Sequence, residues 1–329
     1  MLRDYWYIAC ASMKLRGSPV KVKVLDHDMV VFRDARGRPS ALLDRCSHRG
    51  APLSIGRVVR GAVECSYHGW RYDRSGECIH IPSLTKERRI PKSCTVPSFP
   101  CAENDGYVWV WTGEGEPAPL PAIAGFSSRY WVQGMVEAQC ASLRAVEINL
   151  DWCHPYFAHR WTHPQSYRIR VKGFSEGRYE TRATSSGMIL FAPPTKTDDA
   201  PVPAEPGIKL TYELPDRVSV EFFRPYHTRA VMHFVPTGPS SCRLEYVRTR
   251  SLPIGRRIRW ESREPLLFAQ DRTLLEGGQP WYDRDGGQFE RSVEADWSTI
   301  MVRQIVEQAA SGQWPPTELP RRRVISVRG

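Results

Sequence analysis

The chain has 329 residues, 41% hydrophobic and 25% charged, which is a globular profile long enough for two domains. Its net charge of +10 is spread out: residues 1–115 hold 18 lysines and arginines against 12 acids, or +6, and the remainder holds +4. That argues against a nucleic-acid binder, which needs a basic stripe or tail. No run reaches the roughly 18 apolar residues of a membrane helix, and "MLRDYWYIACASMKLRG" lacks the apolar core of a leader peptide, so a cytoplasmic protein is expected.

Residues 20–112 read as β. "VKVKVLD" and "MVVFRD" alternate, "ARGRP" turns, and "SALLDRC", "AVECSYHGWRYD" and "YVWVWTG" follow. The Pro, Gly and acid stretch "GEGEPAPLP" at 113–121 is the best boundary, giving domains 1–115 and 116–329. Residues 140–161 have helical character. Strand-like runs return at 167–173, 187–192, 208–213, 217–223, 229–235 and 242–250. Residues 259–277 read as a helix closing on Gly277 and Gly278, 280–290 as a loop, and 292–310 as a last helix. An all-β domain followed by a larger sheet with flanking helices is an α+β arrangement.

Nine cysteines in a cytosolic chain are better searched for metal spacing than for disulfides. Cys46 and His48 form C-x-H in "CSHRG", and Cys65 and His68 form C-x-x-H in "CSYHGW", with Gly50 and Gly69 allowing close backbone approach. Two thiolates and two imidazoles suit tetrahedral zinc or a [2Fe–2S] cluster with cysteines on one iron and histidines on the other. Zinc fingers pair like ligands, whereas each pair here mixes one Cys with one His, so that two loops each give one ligand to each iron. Cys10, Cys78, Cys94, Cys101 and Cys242 show no ligand spacing and read as small core residues.

"CSHRGAPLS" with "CSYHGWRYD" resembles the Rieske iron–sulfur signature. Rieske proteins of respiratory complexes carry an extra cysteine in each loop, where this chain has Ala51 and Tyr67, so the resemblance is to the ferredoxin and oxygenase branch.

"NLDWCHPYFAHRW", residues 149–161, is a second constellation. On a regular helix His154 and His159 would point roughly 140° apart, because each residue turns about 100°. They can share a metal only if the helix widens or breaks, and Pro155 supplies a cause. A facial triad of non-haem iron(II) needs one more carboxylate. Asp271 in "FAQDRTLLEGGQ" fits, with Glu276, Asp283 and Asp285 as rivals. This order is similar to Rieske non-haem iron oxygenase α subunits, and to compact monooxygenases and demethylases acting on vanillate, toluenesulfonate or dicamba. Relatives often have an acid just before the Asp ligand, where this chain has Gln270, and many carry an Asn six residues before the first His ligand, where it has Ile148 followed by Asn149.

The resemblance implies a [2Fe–2S] domain joined to a helix-grip-like catalytic domain holding mononuclear Fe(II). It implies O2 and a small organic substrate, electrons from an NAD(P)H-dependent reductase or ferredoxin, and a homotrimer. Asp151 would link His154 to His68 of a neighbouring subunit, and the alternative is that it caps the helix. The other functional readings are an arene cis-dihydroxylase and an electron-transfer protein with an inactive second domain. Pocket residues are expected from the sheet at 187–235 and the 259–277 helix. Arg224, Tyr226, His227, Arg229 and His233 are candidates there, and His163 is a candidate near the iron.

Overall fold

The computed structural model describes residues 1–85, 87–123, 131–162, 176–191, 207–223, 227–249, 264–316 and 323–328. The chain forms two compact units, Arg3–Ser128 and Arg129–Gly329 with Met1–Leu2. The 113–121 stretch is laid along the first unit. Ala118 O accepts from Trp6 Nε1 at 2.7 Å, and Pro121 O accepts from Asn104 Nδ2 at 2.9 Å.

The described part of the first unit is built on strands. In chain order they are β1 (Trp6–Ala11), β2 (Val20–Val24), β3 (His27–Arg33), β4 (Pro39–Leu43), β5 (Arg57–Val59), β6 (Ala62–Glu64), β7 (Arg71–Tyr72), β8 (Cys78–His80), β9 (Ser98–Phe99), β10 (Cys101–Asn104) and β11 (Tyr107–Trp111). They make three antiparallel sheets, ordered β1-β11-β10, β2-β3-β4-β9 and β5-β6-β7-β8. The run YVWVW in β11 is buried on both faces, which suits an unbroken series of β-branched and aromatic residues. The small β5–β8 sheet carries the 65–70 loop between β6 and β7, and the 46–51 loop lies between β4 and β5.

The second unit holds one eight-stranded antiparallel sheet, ordered β12-β18-β17-β16-β15-β14-β13-β19. The strands are β12 (Trp131–Ala138), β13 (Glu176–Thr184), β14 (Gly187–Phe191), β15 (Ile208–Glu213), β16 (Arg217–Phe222), β17 (Thr228–Gly238), β18 (Ser241–Thr249) and β19 (Arg323–Arg328). Alternation along them sends Leu210, Tyr212, Val218, Met232, Phe234 and Leu244 into one core. That core receives α1 (Ser142–Leu150) through Ala145, Val146 and Leu150, and α4 (Trp297–Ala310) through Met301, Val302 and Ile305. A short α2 (His154–Ala158) and a long α3 (Glu264–Asp285) complete the unit. Glu147 of α1 is tied to Arg303 of α4 by bonds of 2.6 and 2.9 Å. Burial pushes the Glu147 carboxyl above its ordinary range, against the pull of Arg303.

Three expectations change. The helical run 140–161 is broken into α1 and α2, with Asp151 extended between them at φ −75°, ψ 116°. The loop expected at 280–290 is helix as far as Asp285, running through Gly277, Gly278 and Pro280. Packing overrides the local stop signal there: Ala141 N–H donates to Gln279 Oε1 at 3.0 Å, Gln279 Nε2 donates to Asp283 at 2.6 Å, and the Arg144 guanidinium lies 5.2 Å over the Tyr282 ring. The Arg144 guanidinium lies over Gly278, 2.9 Å from where a Cβ would stand, and the helix continues through this glycine rather than ending on it. The last helix begins at Trp297 rather than 292. β12, β13 and β19 were not anticipated, and the strand expected at 167–173 lies outside the described residues.

Candidate metal centres

Two loops of the first unit close in the same way. Cys46 N–H donates to Ala51 O and Gly50 N–H returns to Cys46 O; Cys65 N–H donates to Trp70 O and Gly69 N–H returns to Cys65 O, all at 2.8–2.9 Å. Both glycines have φ near +70°, a region L side chains resist, and a Cβ on Gly69 would meet Pro82 at 2.9 Å. The loops place like donors together. Burial, and then the Cys46 sulfur beside it, push the Cys65 thiol up, while the His48 and His68 rings lie 4.6 Å apart. Among the described residues, three or more donor atoms lie within 4.8 Å of one another only at the second site below. The four donors here are therefore two pairs rather than one tetrahedral zinc shell, whose donors would lie about 3.3–3.8 Å apart by its bond lengths.

The surroundings fit a cluster. His48 Nδ1 is buried with no hydrogen-bond partner, as a ligand nitrogen facing a metal would be. Its ring stacks on Trp70 at 4.5 Å, and His68 stacks on Tyr67 at 4.0 Å. Tyr72 Oη reaches Cys46 Sγ at 3.1 Å, a contact that would tune a bound cluster through the sulfur.

In the second unit, the helix break brings the two histidines to one point. Asp151 Oδ1 accepts the N–H groups of Cys153 and His154 at 2.7 and 3.2 Å, and Pro155 sits in the first turn of α2, where its missing donor costs nothing. His154 and His159 meet at 5.2 Å between ring centres. Asp271 Oδ1 stands 3.8 Å from His154 Nε2 and 3.1 Å from His159 Nε2. Leu267, Asp271 and Leu275 recur every four residues on the inward face of α3, while Leu266 and Leu274 are exposed.

Each imidazole is held by its other nitrogen. His154 Nδ1 lies 2.9 Å from the main-chain carbonyl of Asp151, and His159 Nδ1 lies 2.9 Å from Gln270 Oε1, which also accepts from Thr162 Oγ1 at 2.8 Å. With the ring protons on Nδ1, both Nε2 lone pairs point at Asp271. Asp271 Oδ1 is itself buried with no hydrogen bond, which suits a carboxylate awaiting a cation. Burial lowers the His154 pKa despite Asp271. At His159 burial is outweighed by the Asp271 and Gln270 contacts, and the pKa rises. Two imidazoles and one carboxylate on one side fit a mononuclear iron(II) site with open positions.

The rival acids are engaged elsewhere. Glu276 accepts from Gln139 N–H, Asp283 from Ser240 and Gln279, and Asp285 from Gly287 N–H. Asp151 presents its main-chain carbonyl, not its carboxylate, to the His154 ring, because Oδ1 caps the break. A cavity of about 200 Å³ opens on the triad, walled by Leu210, Val220, Phe222, Met232 and Phe268, with Asn149 and the buried Arg248 as polar members. On β17 the lining residues are Ala230 and Met232. Arg229 and His233 point to the other side of the sheet, with His233 3.0 Å from Asp216, and His227 is bonded to Glu221. Arg224, Tyr226 and His163 lie outside the described residues. Gln270, Thr162 and Arg248 were missed as site residues. Only the i−1 position of Gln270 beside Asp271 carried a signal.

Residues 5–100 match the Rieske [2Fe–2S] domain family. The chain is 34% identical over 216 residues, 63% of its length, to chlorophyllide a oxygenase of Chlamydomonas reinhardtii, covering 32% of that protein. It is 35% identical over 164 residues to the oxygenase component of dicamba O-demethylase from Stenotrophomonas maltophilia, 48% of each chain. The chain thus spans half or less of the length of these two curated relatives. A solved structure of dicamba monooxygenase bound to dicamba shares the fold across 95% of this chain and 98% of that one, with a TM-score of 0.75 and 22% identity. A cluster domain joined to a unit with its own three-donor site is the organisation of a two-centre iron protein. The chain carries a Rieske [2Fe–2S] domain, and over part of its length it is similar to oxygenase components that share this two-unit fold.

Proposed function

We propose that the chain uses O2, two protons and two electrons to insert one oxygen atom into a small aromatic or heterocyclic substrate, by hydroxylation or oxidative dealkylation, with water as the other product. The observation that carries this is the His154, His159 and Asp271 set in the wall of a mostly apolar cavity. When bound, the cluster and the iron supply electron storage and O2 activation. The chain's own residues do the rest. Leu210, Val220, Phe222 and Met232 hold the apolar body of the substrate and exclude water, and Arg248 attracts an anionic or strongly polar substituent. His154 and His159 keep donating their Nδ1–H groups to Asp151 O and Gln270 Oε1, which holds the ring orientation fixed through turnover.

Electrons come from an NAD(P)H-dependent reductase or a ferredoxin, in the cytoplasm, and the working assembly is a homotrimer in which Asp151 connects His154 to His68 of a neighbouring copy. Asp151 lines the cavity beside His154, which supports that role. The excess of +6 on residues 1–115 suits an acidic electron donor.

Asp271→Ala tests the reading. The variant should lose the mononuclear iron and substrate oxidation while keeping the visible spectrum of the cluster. Persistent iron with persistent turnover would remove Asp271 from the site. Product formed under labelled O2 should carry one labelled atom, whereas two would mean dihydroxylation. Asp151→Asn, which keeps an Oδ1 acceptor for the helix break, should retain all iron yet stop turnover, in a protein that sediments as a trimer.

A further inference from the structure

Cys140 and Cys242 are used by neither metal centre. Cys140 lies between β12 and α1 and Cys242 lies on β18; their sulfurs are 3.9 Å apart and the residues are 0% and 2% exposed. A second, smaller cavity of about 40 Å³ runs from Asp271, Asn149 and Phe268, which it shares with the large one, to Cys242. Apart from Arg272 its other walls are apolar, including Ala138, Ile148, Phe234 and Leu244. A space of that size admits a molecule of two or three heavy atoms such as hydrogen peroxide.

We propose that this pair is a peroxide-oxidisable dithiol, converted to an intrachain disulfide by hydrogen peroxide reaching it through the small cavity. The contact prepares one sulfur for attack. A hydrogen bond from Cys242 holds the Cys140 thiol below its usual range, with the Arg144 charge helping against burial; the same bond, with burial, pushes Cys242 up. The thiolate therefore forms on Cys140, with the shared proton on Cys242 at the cavity wall 3.9 Å away. The thiolate attacks one peroxide oxygen, an S–O bond forms, the O–O bond breaks, and hydroxide leaves to become water. That sulfur is now a sulfenic acid. The second sulfur attacks it, the S–S bond forms, the S–O bond breaks, and the departing hydroxide takes the thiol proton as a second water. Two thiols and one peroxide give one disulfide and two waters. The sulfurs must close from 3.9 Å to about 2.05 Å. Cys140 is flanked by Gln139 and Ala141, whose N–H groups are tied to Glu276 and Gln279 on the helix bearing Asp271.

Peroxide made at the iron when O2 is reduced without product rests on the oxygenase reading; the reaction with added peroxide does not. The cluster-containing protein is treated with a few equivalents of hydrogen peroxide, blocked with N-ethylmaleimide and digested without reductant. Mass spectrometry should find a Cys140–Cys242 linked peptide that dithiothreitol reverses. Cys242→Ser should abolish the link and leave Cys140 trappable by dimedone as the sulfenic acid. If both cysteines of the unsubstituted protein stay alkylatable, or go separately to sulfinic acids with no link, the proposal is overturned without reference to any variant. In a second arm, reductant and O2 replace added peroxide, with catalase in the medium. A link formed there supports an internal source. Its absence, with the first arm positive, overturns the internal source but leaves the dithiol standing, and the oxygenase reading is judged separately by the Asp271→Ala and labelled-O2 experiments.

Discussion

The two candidate metal centres of this chain are built in opposite ways. The cluster donors sit on two loops in which each hydrogen bond spans four or five residues, so each loop closes on itself. The mononuclear site joins α2, its C-terminal end and α3, with Gln270 bonded to His159 across 111 residues and to Thr162 across 108. The first is local chemistry set by glycine conformation and turn bonds. The second depends on how α1 and α3 are seated against the sheet. The lesson is one of sensitivity: the first centre fails by changes in its own loops, while the second can also be loosened by changes elsewhere in its unit.

The strongest way to break the contrast is Cys46→Ser. The visible cluster spectrum should be lost entirely while iron stays at the second site, measured as metal content against absorbance. Loss of both irons together would show that the centres are not independent. Next is Gln270→Leu, which leaves His159 Nδ1 without its acceptor. Iron affinity at the mononuclear site should fall about 10–100-fold by competition with a chelator, with the cluster unaffected. Unchanged affinity would mean Gln270 does not orient the ligand. Third, Arg303→Met strips the partner from the buried Glu147 and loosens α1 against α4. Chemical unfolding of the second unit should lose about 2 kcal/mol, less than a fully buried pair would cost because Arg303 is partly exposed. The smallest effect sits in the first unit. The Arg33 hydrogen bond holds the Glu103 carboxyl below its ordinary range. A depressed folded-state value gives stability that is present above the unfolded pKa and lost as pH falls through the folded one. Glu103→Gln should flatten that acid limb in a thermal melt, and an unchanged limb would assign the loss to other carboxylates.

Much of the first centre was legible because its determinants are neighbours. C-x-H and C-x-x-H name the donors, and Gly50 and Gly69 mark the turns. The second centre was legible in part: Pro155 announced a break in the helix, and the i,i+5 spacing of the histidines made sense only with one. Asp271 was one candidate among four acids in the sequence, and what favours it in the structure is its approach to both histidines while Glu276, Asp283 and Asp285 bond elsewhere. The same limit explains the error at 280–290. Gly277, Gly278 and Pro280 read locally as a stop, yet Arg144 crossing Gly278 and Gln279 holding Ala141 keep the helix going.

The amino-acid sequence by itself determined which atoms can bind metal and how the cluster loops turn, because those depend on residue type and on backbone preference over a few positions. Only the tertiary structure decided that Gln270 and Thr162 support His159, that Arg248 rather than Arg229 or His233 lines the cavity, and that Cys140 meets Cys242. Those contacts bring together residues about a hundred or more positions apart, or depend on which face of a strand turns inward. Such pairings are fixed by sheet register and helix seating, where a one-residue shift of a strand would send each of its side chains to the other face.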